Sequence, residues 1–283
     1  MNACKKTLVN KRLACLSVIL TGLLVGWFGI LFAQNVIQET PNGHIDWSDG
    51  VITATGLGIP PTDTVNATHA DEMAKRAARV VAYRNLLEIV QGIHVDSHTL
   101  VKNFMVENDE VNTKVQGIIK GARVVKEQKF PDASYQVTVE MGLNTELPTA
   151  VIPSTTKPDP LFSVPPPQKN VVFTGLVIDA QGLDLHEALS PKILMEDGRV
   201  AYGAEWVEQE VIQGQGLVGY VRGIPAAKSN KRVVATPLVV KALRVAGKNQ
   251  TDLVISDADA QTLHVIPENL AFLEKAKVLV VLD

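Results

Sequence analysis

The sequence predicts an α+β fold, in which helices pack on one face of a mostly antiparallel sheet, followed by a second, smaller α/β domain. Three observations lead to this prediction. A long helical pattern lies between strand-like segments in the first half of the chain, a proline-rich stretch interrupts its middle, and short strand-like and helical segments alternate afterwards. The 283 residues, 46% of them hydrophobic, suffice for about two domains with buried cores.

Residues 1–33 have the pattern of an export signal. Four basic residues precede an uncharged, mostly apolar run from Leu13 to Ala33. The run just reaches the ~20 residues that span a bilayer, so both a cleaved signal peptide and a retained inner-membrane anchor stay open. Since positive charge stays in the cytoplasm, either one makes residues 34–283 periplasmic or secreted. Cys4 and Cys15 both lie in this segment, so no structural disulfide or thiol chemistry is expected in the exported part.

The first domain is assigned to residues 51–146. Residues 34–50 are polar and rich in turn formers, and we expect them to form a surface arm anchored by Ile45 and Trp47. Alternating β-branched residues predict strands, and apolar residues at spacings of three and four predict helices. The expected elements are a strand at 51–56, a helix at 70–91, a short strand at 93–97, a helix at 107–119 and a hairpin of 122–130 with 134–143.

The helix at 70–91 is the strongest local signal. Thr68 is its expected N-cap, and Gly92 is expected to end it. Its many alanines leave little side-chain bulk, so the helix can lie close to a sheet. The apolar stripe expected to face the core consists of Met73, Ala77, Val80, Tyr83, Leu87 and Val90.

A proline-rich linker and a second domain follow. Residues 147–169 contain seven prolines, which favour a semi-rigid extended linker. The second domain is assigned to residues 170–283. Its expected elements are a strand at 171–179, a hairpin at 192–202 around Asp197 and Gly198, a strand or helix at 237–245, a helix capped by Ser256 and ending near Thr262, a helix at 267–276 and a strand at 277–283.

Five segments between Trp47 and Leu143 carry a family resemblance. They are ITATG at 52–56, MAKRAARVVAYRNLLE at 73–88, GIHVDS at 92–97, GIIKGARVV at 117–125 and YQVTVEM at 135–141. In these segments the chain resembles the LPP20 lipoprotein family and the related N-terminal domain of the flagellar assembly protein T. The resemblance implies an exported envelope domain, often associated with the flagellum or the outer membrane, and it transfers no catalytic residues.

Charge distribution indicates candidate partner-binding residues. The net charge of −3 argues against a nucleic-acid binder, but residues 211–251 contain seven basic residues and no acid. This segment predicts attraction to a membrane surface, a cell-wall polymer or an acidic protein face, although pairing with acids from elsewhere is the alternative. Arg76 and Arg79 on the long helix either dock a partner or pair locally, as Glu72 with Arg76. The candidate set is Arg76, Arg79, Arg222, Lys228, Lys231 and Arg232.

Three further patterns are compared with known ligand sites. His94, Asp96 and His98 alternate, so on a strand they would share one face as a two-histidine, one-carboxylate metal site, the alternative being an exposed strand end. Gly214–Gly219 fits the G-x-G-x-x-G pattern, but no helix opening follows, so a glycine-rich turn is expected and no cofactor is assigned. Asp252, Asp257 and Asp259 suggest calcium ligands, or, beside Ser256, a helix cap.

The leading hypothesis is a non-enzymatic, exported envelope protein that acts as an interaction or assembly scaffold, with envelope or flagellar proteins as partners and oligomers allowed. The alternative is a periplasmic binding module for an anionic envelope ligand or polymer, acting through residues 211–251. An enzyme of unrecognised type is the third hypothesis.

Overall fold

The first region of the chain, residues 35–153, is built around a five-stranded antiparallel sheet. The computed structural model describes residues 35–62, 66–153, 172–264 and 267–283. The strands are β1 (Ile37–Thr40), β2 (Gly43–Asp46), β3 (Val51–Gly58), β4 (Arg123–Lys129) and β5 (Tyr135–Gly142), in the order β1-β2-β3-β5-β4. The predicted strand and the predicted hairpin are confirmed. The expected surface arm is instead the hairpin β1–β2, because its backbone pairs with β3 and thereby extends the sheet.

Helix α1 (Ala67–Gln91) lies on one face of this sheet. The shorter helices α2 (Val101–Glu107) and α3 (Asp109–Lys120) pack against α1, and α4 (Leu147–Val151) packs against α3. The long helix is confirmed, but its N-cap is Asn66 rather than Thr68, since Asn66 Oδ1 accepts hydrogen bonds from the backbone N–H groups of Thr68 and His69.

The apolar stripe predicted to face the core is wrong over the first half of α1. Met73 is 44% exposed and Val80 is 62% exposed. Ala74, Ala78 and Ala82, which are spaced by four residues, are fully buried instead. Small residues therefore form the buried face over the first half of this helix, whereas Leu86, Ile89 and Val90 are buried in its second half.

Glycines in β3 explain this choice of face. A Cβ atom at Gly56 would lie 2.2 Å from the backbone nitrogen of Ala82, and one at Gly58 would lie 2.0 Å from the carbonyl oxygen of Ala74. The backbones of the helix and the strand approach closely where the strand has glycines and the helix has alanines, as the alanine content of the helix suggested. Asn85 continues the contact, because its Nδ2 donates to Thr55 O at 2.6 Å.

The second region, residues 172–283, contains two more sheets, each of four strands. Its strands are β6 (Leu176–Asp179), β7 (Ile193–Leu194), β8 (Val200–Tyr202), β9 (Gly219–Arg222), β10 (Leu238–Lys241), β11 (Arg244–Ala246), β12 (Asp252–Val254) and β13 (Val278–Leu282). The sheet β10-β6-β13-β9 is entirely parallel. The sheet β11-β12-β7-β8 is mixed. Its helices are a 3₁₀ turn at Ala204–Trp206, α5 (Gln209–Gln215), α6 (Ile224–Ser229), α7 (Asp257–His264) and α8 (Pro267–Glu274).

Several expectations for the second region are confirmed. The hairpin turns at Asp197 and Gly198, the last strand is β13, and Ser256 Oγ caps α7 by accepting from the N–H of Asp259. The ambiguous segment 237–245 is strand. The elements α5, β9, α6 and β12 were not anticipated. The extended linker predicted for 147–169 is wrong at its start, because residues 147–151 form α4 and bury Leu147 and Val151. The predicted export signal at 1–33 and residues 154–169 of the predicted linker lie outside the described residues.

The two regions share a hydrophobic core. Trp47 lies edge-on to Tyr220 with ring centroids 5.5 Å apart, and Ser48 Oγ donates to Tyr220 O at 2.9 Å. Residues 34–283 form one compact unit. The α+β fold with several sheets is therefore confirmed. Within the described ranges, no helix is long and apolar enough to cross a membrane.

Candidate functional site

The outer face of α1 holds the first pair of candidate residues. Arg79 Nη2 donates to Glu127 Oε1 at 2.8 Å, and Lys75 Nζ lies 2.6 Å from the other oxygen of the same carboxylate. Arg79 is thereby tied to β4. Arg76 is exposed and forms no ion pair with any described residue, so the local pairing considered for it with Glu72 is not observed.

The basic residues of 211–251 lie in different environments. Arg222 Nε donates to Asn35 O at 3.3 Å, and its Nη1 donates to the carbonyl oxygen of Asp283, so its guanidinium is engaged within the chain. Lys228 is exposed on α6, and Lys231 is exposed just beyond it. Arg222 therefore differs from Lys228 and Lys231, although the three residues are close in sequence: its charged group is bonded within the chain, whereas both lysines are exposed.

Arg232 has an internal role that its sequence context did not indicate. Its guanidinium donates at 2.7 Å to each of three backbone carbonyls, those of Gln215, Gly216 and Ala276. Burial lowers the pKa of Arg232 to about 10, so the group still carries its charge at neutral pH. Arg232, a candidate partner-binding residue, is therefore a fixed cation whose guanidinium is bonded to backbone carbonyls within the chain.

A cleft of about 860 Å³ lies between the two regions. Ser48, Asp49 and Asn144 line it from the first region. The second region contributes Gly214 and Gln215 at the end of α5, residues 219–221 of β9, residues 229–232, Lys277 just before the last strand, and Leu279 within it. Sequence reasoning found Lys231 and Arg232 but missed Asn144 and Lys277, because nothing local connects segments so far apart along the chain.

The glycine motif shapes this cleft instead of binding a dinucleotide. The strand β9 begins at Gly219, so the glycines lead into a strand and not into the helix N-terminus that a dinucleotide site needs. Gly216 has a φ of 72° and a Cβ there would meet Asn144 Oδ1 at 2.6 Å. A Cβ at Gly219 would meet Leu279 at 2.8 Å and Arg232 at 3.3 Å. The glycines therefore admit side chains from both regions.

The proposed metal ligands do not converge. Residues 93–97 form a turn with one isolated bridge between His94 and Leu100, so the short strand predicted there is wrong. Asp96 Oδ1 accepts from the backbone N–H groups of His98 and Thr99, and this side-chain turn replaces the strand. Within the described ranges, no group of three or more His, Cys, Asp or Glu residues is placed to hold a metal ion. The metal prediction for His94, Asp96 and His98 does not fit this geometry.

The alternative calcium ligands also have structural roles. Asp252 Oδ1 accepts from Lys192 N, and Asp257 Oδ1 accepts from Glu196 N. Asp259 Oδ2 accepts from Ser256 Oγ at 2.6 Å. Hydrogen bonds within the chain therefore account for all three carboxylates.

His94 lies at a joint between the regions. Its ring stacks on that of His186, with centroids 5.8 Å apart and planes inclined by 11°. Its carbonyl accepts from Leu189 N at 3.0 Å. Burial lowers the pKa of His94 and raises the pKa of the neighbouring Glu187. Burial thus disfavours the charged form of both groups at this contact.

Comparison with known proteins bears on the second region. Residues 175–283 match the family model for the second domain of Treponema pallidum Tp0624. This part of the chain is similar to that domain. The match covers well under half of the chain and does not include the first region, where the LPP20 resemblance stays a prediction. No curated protein matches the chain.

Proposed function

We propose that this chain is a non-enzymatic, exported envelope protein that acts as an interaction scaffold in an envelope or flagellar assembly. The observation that carries the proposal is the outer face of α1. Met73, Arg76 and Val80 are spaced by three and four residues, so they lie on one face of the helix. All three are exposed.

The helix holds this face rigidly. Its opposite side is fixed to β3 by the glycine–alanine contact, and Tyr83 Oη donates to Ala122 O at 2.8 Å. Methionine and arginine are enriched in protein interfaces relative to the rest of the surface. The face therefore suits a protein partner that offers apolar side chains and a carboxylate for Arg76.

Substitution at Val80 tests the docking face. Because Val80 is mostly exposed, Val80→Asp is expected to change the free energy of unfolding by less than about 0.5 kcal/mol. A photo-crosslinking residue at position 76 should capture an envelope protein in cells, and Val80→Asp should abolish that product. Val106→Asp is the matched control, since Val106 is 85% exposed on α2, outside this face. Equal loss with both variants would contradict the proposal.

Location is tested separately. A reporter fused after Asp283 and active only outside the cytoplasm should show activity, as the predicted export signal requires. Activity of a cytoplasm-only reporter at the same position would contradict an exported scaffold.

The alternative function, binding of an anionic polymer along residues 211–251, has weaker support. Arg222 and Arg232 are held by backbone carbonyls, so the seven basic residues do not form one continuous free surface. Lys231 remains available at the cleft, where a smaller anion is a better match.

A further inference from the structure

The cleft between the regions carries more positive than negative charge. Lys231, Arg232 and Lys277 line it, and Asp49 is the only acidic residue among its described lining residues. The Asp49 carboxylate already accepts a hydrogen bond from Asn35 Nδ2 at 2.9 Å. Concave surfaces lined mainly by one sign of charge concentrate their field on ions of the opposite sign. The cleft therefore favours an anion.

Arg232 is prepared to contact such an anion. A guanidinium has five N–H donors, and three of them bind the carbonyls of Gln215, Gly216 and Ala276, which leaves two. The three bonds also fix the side chain in place, so a ligand does not have to order it. Among the described residues, no carboxylate forms an ion pair with Arg232.

We propose that this cleft binds a phosphate monoester, with Lys231, Lys277 and Arg232 around the phosphate. A monoester carries ~1.5 to 2 negative charges at neutral pH, which suits three cations opposed by one acid. The volume of about 860 Å³ exceeds what a phosphate needs and lies within the usual range of small-molecule sites. Asn144 and Asn230 supply uncharged polar groups for the organic part. This site is independent of the docking face on α1.

Glycerol 3-phosphate is the probe for a soluble ligand. Residues 34–283, which form one compact unit, would be titrated by calorimetry at low salt. We expect saturable binding that Lys231→Glu weakens by about tenfold or more and that higher salt also weakens. Lys228→Glu makes the same change of charge three residues away, outside the cleft lining, and should weaken binding by less than about twofold. Lys277→Ala should weaken binding without the need for charge reversal.

Vesicles separate a lipid headgroup from a free ligand. Phosphatidic acid presents a phosphate monoester at the vesicle surface, whereas phosphatidylcholine does not. Flotation with phosphatidic acid that is lost in Lys231→Glu and kept in Lys228→Glu would support the site with a headgroup as ligand. No saturable binding of either probe, or equal weakening by the two glutamate variants, would overturn the proposal.

Discussion

The two regions pack their sheets in opposite ways. In the first region, α1 lies on β3 where Gly56 and Gly58 meet alanines, so backbones approach closely and side chains contribute little. In the second region, the parallel strands β6 and β13 contribute large apolar side chains to the core. Ile178 and Val280 are both fully buried and lie opposite each other in the sheet. We therefore expect stability to fall when atoms are added between α1 and β3, and when atoms are removed from the core around β6 and β13.

The largest expected effect is a cavity in the second region. Ile178→Ala removes a buried side chain between β10 and β13, and such truncations cost about 2–5 kcal/mol. Urea unfolding of the variant and the parent should show this loss in the free energy of unfolding. Val239→Ala on β10 is the control, because Val239 is 40% exposed and should change stability by less than about 0.5 kcal/mol. Similar losses in both variants would contradict packing by side-chain bulk.

The next effect is overpacking in the first region. Gly58→Ala places a methyl group 2.0 Å from the Ala74 carbonyl oxygen, which is backbone and cannot rotate away. We expect a cost of about 1–3 kcal/mol, measured in the same unfolding experiment. Gly117→Ala adds the same methyl group in α3, where nothing lies within 4 Å, and should stabilise by about 0.5–1 kcal/mol. Two changes of the same sign would mean that the close approach does not limit the first region.

This contrast also explains what the sequence revealed. In the first region the order of elements and the hairpin could be predicted, since neighbouring strands are close along the chain and alternate cleanly. The buried face of α1 could not be predicted, because Met73 and Val80 form a more hydrophobic stripe than Ala74 and Ala78. Steric room beside Gly58 decides the face, and this depends on which strand lies under the helix.

The second region was harder to predict because its elements are defined by distant partners. The strand β9 has four residues and gains its place by pairing with β13, nearly sixty residues later. The cleft has the same origin, since Asn144 and Lys277 come together only once both regions are folded. The charge of residues 211–251 could be predicted, but the engagement of Arg232 with three carbonyls could not.

The contact of His94 with His186, which joins the two regions, should make the free energy of unfolding depend on pH. Burial holds the pKa of His94 below its ordinary value, so the unfolded chain binds the proton first as pH falls. The contribution of neutral His94 is therefore complete at high pH and is lost as pH falls through about 6.5 towards the lowered value. Because the ring is partly exposed, we expect less than about 1 kcal/mol.

Replacement of the ring isolates this effect. His94→Gln should flatten the dependence of unfolding free energy on pH between about 8 and 5 relative to the parent chain. Glu187 acts in the opposite direction, since its raised pKa stabilises the fold at low pH and this contribution is lost as pH rises. A parent slope unchanged by His94→Gln would show that the joint does not sense protonation of this ring.

The smallest expected effect concerns the ion pairs that join α1 to β4. Glu127→Gln removes the partner of Lys75 and Arg79, and exposed pairs of this kind typically contribute ~0–1 kcal/mol. We expect a loss in that range that fades in high salt, and a similar or smaller one for Glu110→Gln, which removes a pair with Lys114 within α3. A loss above about 2 kcal/mol that persists in salt would mean that charge fixes the helix. The close contact at Gly58 would then be a consequence of that docking, and the first region would no longer contrast with the second in the way its sheet is packed.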